Sequence, residues 1–432
     1  MYSKHKESAM NLPREFITLM QELLGQDEYD AFEESLGKLP VVSVRLNRRK
    51  AAQLPTTLSE GAEPVPWCPD GYYLQGRPSF TLDPLFHAGV YYVQEASSMY
   101  LSQALRKYAD LACPLVALDL CAAPGGKSTL LLSELSEDSL LVCNEVVRQR
   151  AQILRENIIK WGCQNAVVTS NEAADFQAIG TPFDLILCDA PCSGEGMFRK
   201  DNQAIQQWSP ANVDLCQARQ RDIVANIWPC LRADGLFIYS TCTYNRKENE
   251  ANVAWICEQL GADLLELQRF MPHRTRGEGL FMAILRKHTD AEVLPPKRIK
   301  NSKKKEERNR NETAANPHLF PESHKPLLQL LTHHLNVLHY GIELNIPKGK
   351  DKVQPSHSLS MYNKLSINDF QNVDIDLETA LSYLRCESIT LPSDTARGYT
   401  LLTYENHPLG FVNNLGSRAN NLYPSQWRIR NI

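Results

Sequence analysis

The chain has 432 residues, 43% hydrophobic and 22% charged, which fits an ordinary globular protein of two or three domains and excludes a collagen, a mucin or a largely disordered chain. With 46 Lys and Arg against 50 Asp and Glu, the net charge of -4 excludes a protein that coats nucleic acid through bulk charge, although a local basic patch would not show in it. No apolar run reaches the length of a membrane span and Met1 to Met10 is too polar for a signal peptide, so a soluble, cytoplasmic protein with no membrane contact is expected. Met10-Asn-Leu-Pro also reads as a natural start, which would make residues 1–9 dispensable.

In chain order, residues 1–114 open with helical patterns over Glu15–Leu24 and Glu28–Leu36, then a strand over Val41–Asn47. Segments punctuated by Pro and Gly follow as far as Tyr91. Between 115 and 288, short apolar runs alternate with helical spacing. Leu115–Leu120, Leu140–Cys143, Ala166–Thr169, Phe183–Cys188 and Leu236–Tyr239 read as buried strands, and Gly279–Arg286 as a last strand after a long connection. Ser128–Leu135, Arg148–Trp161 and Ala211–Leu231 read as the intervening helices, with Asp234-Gly235 as a turn. Such alternation predicts an α/β fold whose mostly parallel sheet is covered by helices on both faces. Residues 289–315 read as a basic linker, since Lys297–Arg310 holds eight basic and two acidic residues without apolar periodicity. Residues 316–432 return to globular composition.

The first strand runs into Asp119-Leu-Cys-Ala-Ala-Pro-Gly-Gly-Lys127 and then a helix. Glycines let a backbone approach a ligand, and a helix start offers unpaired N–H groups, the usual setting for a nucleoside cofactor in a doubly wound sheet. A Walker A loop would need glycine where Cys121 stands, and Pro124 interrupts it. The Gly-x-Gly-x-x-Gly of a dehydrogenase is also missing. Glu145, just beyond the second strand, is placed to accept hydrogen bonds from ribose hydroxyls; the plainer reading is a surface acid before the next helix.

The fourth strand ends in Leu187-Cys-Asp189-Ala-Pro-Cys192-Ser-Gly-Glu-Gly, the fifth in Tyr239-Ser-Thr-Cys242-Thr. Neighbouring parallel strands present their carboxyl ends to one crevice, so Asp189, Cys192 and Cys242 are expected together there. A buried structural thiol is the ordinary state of either cysteine alone; two thiols and a carboxylate at adjacent strand ends point to chemistry. The 12 cysteines contain no Cys-x-x-Cys, so neither a zinc ribbon nor any other metal site is expected.

These three strand-end motifs, with Val44-Arg-Leu-Asn47 and Tyr92-Val-Gln-Glu-Ala-Ser-Ser-Met99 upstream, resemble the signatures of the Sun-family (NSUN) RNA cytosine-C5 methyltransferases, and within it the bacterial small-subunit (16S) rRNA enzymes. Gly410-Phe-Val and Asn421-Leu-Tyr-Pro424 are similar to the PUA-like C-terminal part of that group. The resemblance implies a class I Rossmann-like methyltransferase core, an N-terminal α+β RNA-binding part and a C-terminal PUA-like α+β region, with S-adenosylmethionine as cofactor. It implies that Cys242 attacks cytosine C6, that Cys192 assists proton removal and release, and that Asp189 binds the cytosine edge near N3. It assigns Cys121, Ala122, Ala123, Pro124, Gly125, Gly126 and Lys127 to the loop around the methionine moiety, with Asp189 counted among the cofactor contacts too. Glu145 goes to the ribose and Glu172 to the adenine side, where the family more often has Asp; Lys127 could instead orient Asp189.

The RNA partner is expected on basic clusters: Arg45, Arg48, Arg49 and Lys50; Arg199 and Lys200; and the 297–310 run. Each reads equally as a solvated surface. Arg418, Trp427, Arg428 and Arg430 combine aromatic and basic groups, and the family likeness makes them candidates for RNA docking. A tRNA substrate, or a non-catalytic ribosome assembly factor on the same scaffold, are the competing readings; a monomer is expected.

Overall fold

The computed structural model describes residues 11–289, 317–348 and 352–430, so the basic run at 297–310 lies outside the described residues. Eight strands form the central sheet in the order β10-β11-β9-β8-β5-β6-β7-β13. They are β5 (Val116–Asp119), β6 (Leu140–Asn144), β7 (Ala166–Thr169), β8 (Phe183–Asp189), β9 (Leu231–Thr241), β10 (Ala262–Phe270), β11 (Leu280–Lys287) and β13 (Val337–Tyr340). The five strands β5 to β9 run parallel, while β11 and β10 on one side and β13 on the other are antiparallel to their neighbours. Chain order reverses between β5 and β8, which opens a crevice at their carboxyl ends.

The alternation of side chains along the strands builds two cores. Ala117, Leu141, Leu187 and Ile238 face Leu131 and Leu154 from the helices Gly126–Glu134 and Arg148–Trp161. Leu118, Val142, Ile186 and Phe237 face the other way, onto Val224 and Ile256 of the helices Pro210–Ile227 and Glu250–Leu260. All of these residues are buried, and each large aliphatic side chain removed from water contributes about 1.5–3 kcal/mol.

Two elements depart from the sequence reading. The strand β10 and the helix before it fill what reads as a long connection, so β11 is not an isolated last strand. The strand β13 returns from beyond the basic run to pair with β7, which gives the sheet an edge drawn from the 316–432 segment. Asp234 adopts φ 59° in a bulge where β9 slips register against β8.

The N-terminal segment opens with the helices Arg14–Leu24 and Gln26–Leu36 and carries a four-stranded sheet of order β2-β3-β1-β4. Its strands are β1 (Val42–Leu46), β2 (Glu63–Val65), β3 (Cys68–Leu74) and β4 (Tyr91–Val93). Both faces of β1 are covered. Val44 and Leu46 enter a core shared with Tyr383, Leu402, Val412 and Tyr423 of the C-terminal region, while Ser43 and Arg45 bond in the opposite direction. That C-terminal region carries two small pairs, β12 (His318–Leu319) with β14 (Ile342–Glu343) and β15 (Asn345–Lys348) with β16 (Lys352–Pro355). A further sheet has the order β17-β18-β19-β20, formed by Asn372–Asp374, Gly398–Tyr404, His407–Asn414 and Ala419–Asn421. Among the described residues no helix is long and apolar enough to cross a membrane.

Candidate active site at the sheet crevice

The register that pairs Asp189 of β8 with Ser240 of β9 fixes the site. Cys192 and Cys242 lie just past these two residues, and their sulfur atoms are 3.1 Å apart. Both thiols are half-buried. Gly196 N–H donates to the Cys242 carbonyl at 2.8 Å, and a Cβ at Gly196 would meet that oxygen at 2.8 Å, so this approach requires glycine. From the carboxyl end of the neighbouring parallel strand β5, Lys127 Nζ stands 2.8 Å from Asp189 Oδ2, with the lysine side chain 14% exposed and the aspartate 34%. Ser240 Oγ donates to Asp189 Oδ1 at 2.6 Å. The carboxylate is thereby aimed from two sides. Burial pulls the Lys127 pKa down, but the Asp189 charge outweighs it and the ammonium is held above its usual range.

The turn from Leu120 to Gly125 carries Cys121, Ala122, Ala123 and Pro124 into the helix that begins at Gly126. Gly125 sits at φ 116°, a left-handed conformation suited to glycine, and no side chain caps the helix start, so its first N–H groups face the crevice side unpaired by side chains. Ala122 N–H bonds Asn144 O at 2.8 Å, and Arg150 and Asn157 hold the Ala123 and Pro124 carbonyls at 2.8 Å each. Beneath the turn, Asp119 is fully buried. Ser128 Oγ bonds its Oδ2 at 2.6 Å, and its Oδ1 has no partner among the described residues. Burial pushes this carboxyl up to about 7. Glu145, at the end of β6, is buried with Val147 N–H on one oxygen at 2.9 Å and Arg150 3.3 Å from the other. Glu172 is exposed and caps the short helix Ala173–Ile179 reciprocally with Asp175. The uncapped helix start, the orphaned Asp119 oxygen and the acid at the end of β6 make a cradle that suits a nucleoside cofactor carrying an amino acid. Among the described residues no group of His, Cys, Asp and Glu could hold a metal ion.

Two of the residues expected to meet RNA are corrected by the structure. Arg45 is 1% exposed. Its guanidinium bonds Gln94 Oε1 at 2.8 Å and Thr129 Oγ1 at 2.6 Å and lies 4.6 Å over the Trp161 ring. Burial lowers its pKa to about 10, and no phosphate can reach it. Arg199 has a side chain only 5% exposed, paired with Glu278 at 2.7 Å and bonded to Ser35 O and Gly277 O. It fastens the N-terminal helices to the crevice rim. Arg48 pairs with Asp70 and Arg49 with Glu137, both in part open to solvent, and Lys200 lies 3.5 Å from Glu278 with a third of its side chain exposed. Trp427 packs between His357 and Lys160, whereas Arg418, Arg428 and Arg430 are exposed. Ser240 went unnoticed in the sequence, although its place two residues before Cys242 on the strand beside Asp189 was the signal for it.

A sheet with this strand order, a cofactor-type turn on its first strand and paired thiols at its crevice defines a methyltransferase of the Rossmann-like class. Three family models match the chain in order: the N-terminal domain of 16S rRNA methyltransferase RsmF over residues 12–96, the 16S rRNA methyltransferase RsmB/F core over 115–286, and the RsmF PUA domain over 370–429. The chain belongs to the RsmB/F methyltransferase family. It is 29% identical to a protein of Escherichia coli O127:H6 named ribosomal RNA small subunit methyltransferase F, over 96% of both chains. A methyltransferase homologue from Pyrococcus horikoshii superposes with a TM-score of 0.54 at 25% identity, covering 64% of this chain and all 100% of its own. NSun6 from the same organism, solved with SFG, gives a TM-score of 0.55 at 21% identity over 66% of this chain and 100% of its own.

Proposed function

We propose that the protein is an S-adenosylmethionine-dependent RNA (cytosine-C5)-methyltransferase acting on small-subunit (16S) rRNA. The observation that carries this reading is the thiol pair 3.1 Å apart beside the Lys127–Asp189 ion pair, at the ends of adjacent parallel strands. Cytosine C5 is a weak nucleophile until a group adds at C6 and turns the ring into an enamine. Cys242 is the thiolate that adds. Asp189, oriented by Lys127 and Ser240, takes the cytosine edge near N3, where charge changes during addition. Bound S-adenosylmethionine supplies the electrophilic methyl group that C5 attacks. A solvent base then takes the C5 proton, its electron pair closes the C5–C6 double bond, and the C6–S bond breaks. The departing Cys242 sulfur takes a proton from the Cys192 thiol at the 3.1 Å contact.

For the cofactor, the residues 121–127 surround the methionine moiety and Glu145 offers its remaining lone pairs to the ribose. Glu172 lies on the adenine side. The N-terminal region 1–114 and the region 316–432 hold the RNA around the 115–288 core, through Arg48, Arg49 and the exposed Arg418, Arg428 and Arg430, and the core adds Lys200. The base must leave its stack for C6 to be reached.

The test uses target RNA and S-adenosylmethionine with a denaturing gel. Cys242→Ala is expected to lose both methyl transfer and any covalent protein–RNA species. Cys192→Ala is expected to methylate and then stall, giving a slow-migrating band. An adduct in Cys242→Ala, with none in Cys192→Ala, would reverse the two roles. Alanine in place of a small thiol costs on the order of 1 kcal/mol, so folding does not confuse the result.

A further inference from the structure

Glu248 is fully buried, in the turn between β9 and the helix Glu250–Leu260, and touches neither Cys192 nor Cys242 through a hydrogen bond. Its carboxylate instead accepts three N–H groups: Ser193 N at 3.0 Å and Gln220 Nε2 at 2.7 Å on one oxygen, Asn245 Nδ2 at 2.7 Å on the other. Gln220 Nε2 reaches on to the Pro191 carbonyl at 3.0 Å. The backbone is therefore held immediately before and immediately after Cys192, by one carboxylate and one amide that bond each other. The same carboxylate reaches the other strand end. Asn245 Nδ2 also donates to Thr243 Oγ1 at 3.0 Å, Thr243 Oγ1 lies 2.9 Å from Ser193 Oγ, and Glu195 accepts the N–H groups of Tyr244 and Asn245. The Tyr239 hydroxyl donates to the Glu248 carbonyl at 2.7 Å and fixes the turn.

A buried carboxylate is costly unless it is fully bonded, and a core of aliphatic side chains would hold two loops together as well. A charge here does something packing cannot. It sets the spacing of two loops and places a negative potential behind one thiol. We propose that Glu248 is a positioning residue for the release step: it clamps the Pro191–Ser193 segment so that the Cys192 thiol stays in contact with the Cys242 sulfur and keeps its proton until Cys242 departs. This rests on the reading in which Cys242 attacks and Cys192 assists release. The hydrogen bond with Cys242, burial and the Glu248 charge all hold the Cys192 thiol well above its ordinary range. The other charged or titratable groups around the pair include Lys127 and Asp189 on the crevice side, Tyr244 beside Cys242, and Glu195, Tyr239 and Cys216 around Glu248. A glutamine at 248 keeps the volume but offers one acceptor and turns an NH2 toward a donor, so the clamp loosens and the charge is lost.

Two readouts test this. In Glu248→Gln, single-turnover reactions are expected to show the covalent protein–RNA species about tenfold above the unaltered enzyme while methyl transfer in that turnover falls at most about twofold. Without RNA, the pH midpoint for alkylation of Cys192 by iodoacetamide, followed by peptide mass spectrometry, is expected to fall by about one pH unit, the shift one nearby charge imposes. Methyl transfer and release falling together, or an unmoved midpoint, overturns the proposal. If Glu248→Gln gives no cooperative melt, Gln220→Met keeps the charge and removes the hold on Pro191. It is then expected to accumulate adduct about threefold, and no accumulation overturns the proposal. If Cys192→Ala itself gives no adduct, the release reading fails, and the alkylation midpoint still decides the coupling of Glu248 to Cys192.

Discussion

The N-terminal sheet and the sheet crevice each hold a buried cation, and the two are built for different ends. Arg45 is ringed by neutral acceptors from Gln94, Thr129, Ser133 and the Gly126 carbonyl and lies on the Trp161 ring. Burial lowers its pKa to about 10, and among the described residues no carboxylate is in bonding contact to offset it. Lys127 faces a carboxylate that keeps solvent access on one side, and its charge is strengthened despite burial. A cation among neutral dipoles is a strut, whose five donors satisfy one geometry. A cation and carboxylate half-open at a strand end form a pair that a substrate can enter.

This difference can be broken by exchanging what each cation is for. Lys127→Met is expected to lower kcat by about 10³-fold, or about 4 kcal/mol of transition-state stabilisation, because Asp189 loses its orienting charge. Its melting temperature should hardly move, and a stability loss matching the activity loss would make Lys127 a strut as well. Arg45→Met is expected to do the reverse, costing about 2–3 kcal/mol in urea unfolding through the acceptors it leaves buried, with kcat in the remaining folded enzyme changed by less than about threefold. Smaller again, Arg48→Gln with Lys200→Gln should flatten the salt dependence of RNA binding by about one to two in the slope of log K against log salt. The Arg45 variant should leave that slope alone, and a change there would return Arg45 to the RNA face.

The same contrast marks what could be read from the chain. The strands β5 to β8 and the Asp189, Cys192 and Cys242 strand ends were legible because apolar runs, turn residues and motifs coincide within short windows. Arg45 was not. In Val-Ser-Val-Arg-Leu the arginine follows ordinary strand alternation, and the arrival of the helices Gly126–Glu134 and Arg148–Trp161 on that face buries it. The strand β10 was missed because Ala-Asp-Leu-Leu-Glu-Leu-Gln-Arg-Phe continues the amphipathic spacing of the preceding helix. At the sheet edge Leu264 and Leu267 stay 45% and 37% exposed, so no clear alternation marks it. The strand β13 is four residues long, and its pairing with β7 has no local signal at all. Glu248 reads as one acid in an exposed-looking Lys-Glu-Asn-Glu stretch. Its burial depends on Gln220 and Ser193 from other elements.

The shared core of β1 with Tyr383, Leu402, Val412 and Tyr423 has a consequence for synthesis. The N-terminal sheet leaves the ribosome before the central sheet, yet its apolar face is completed by residues of the C-terminal region, which are made after both. The central sheet from β5 to β11 closes within one continuous stretch and needs only the short edge strand β13 afterwards. The catalytic layer therefore assembles while Val44 and Leu46 still wait for their partners, and the nascent chain exposes an apolar sheet face throughout that interval. Shortening the chain before residue 383 would leave that face open in the finished product, with aggregation rather than loss of the crevice as its first sign.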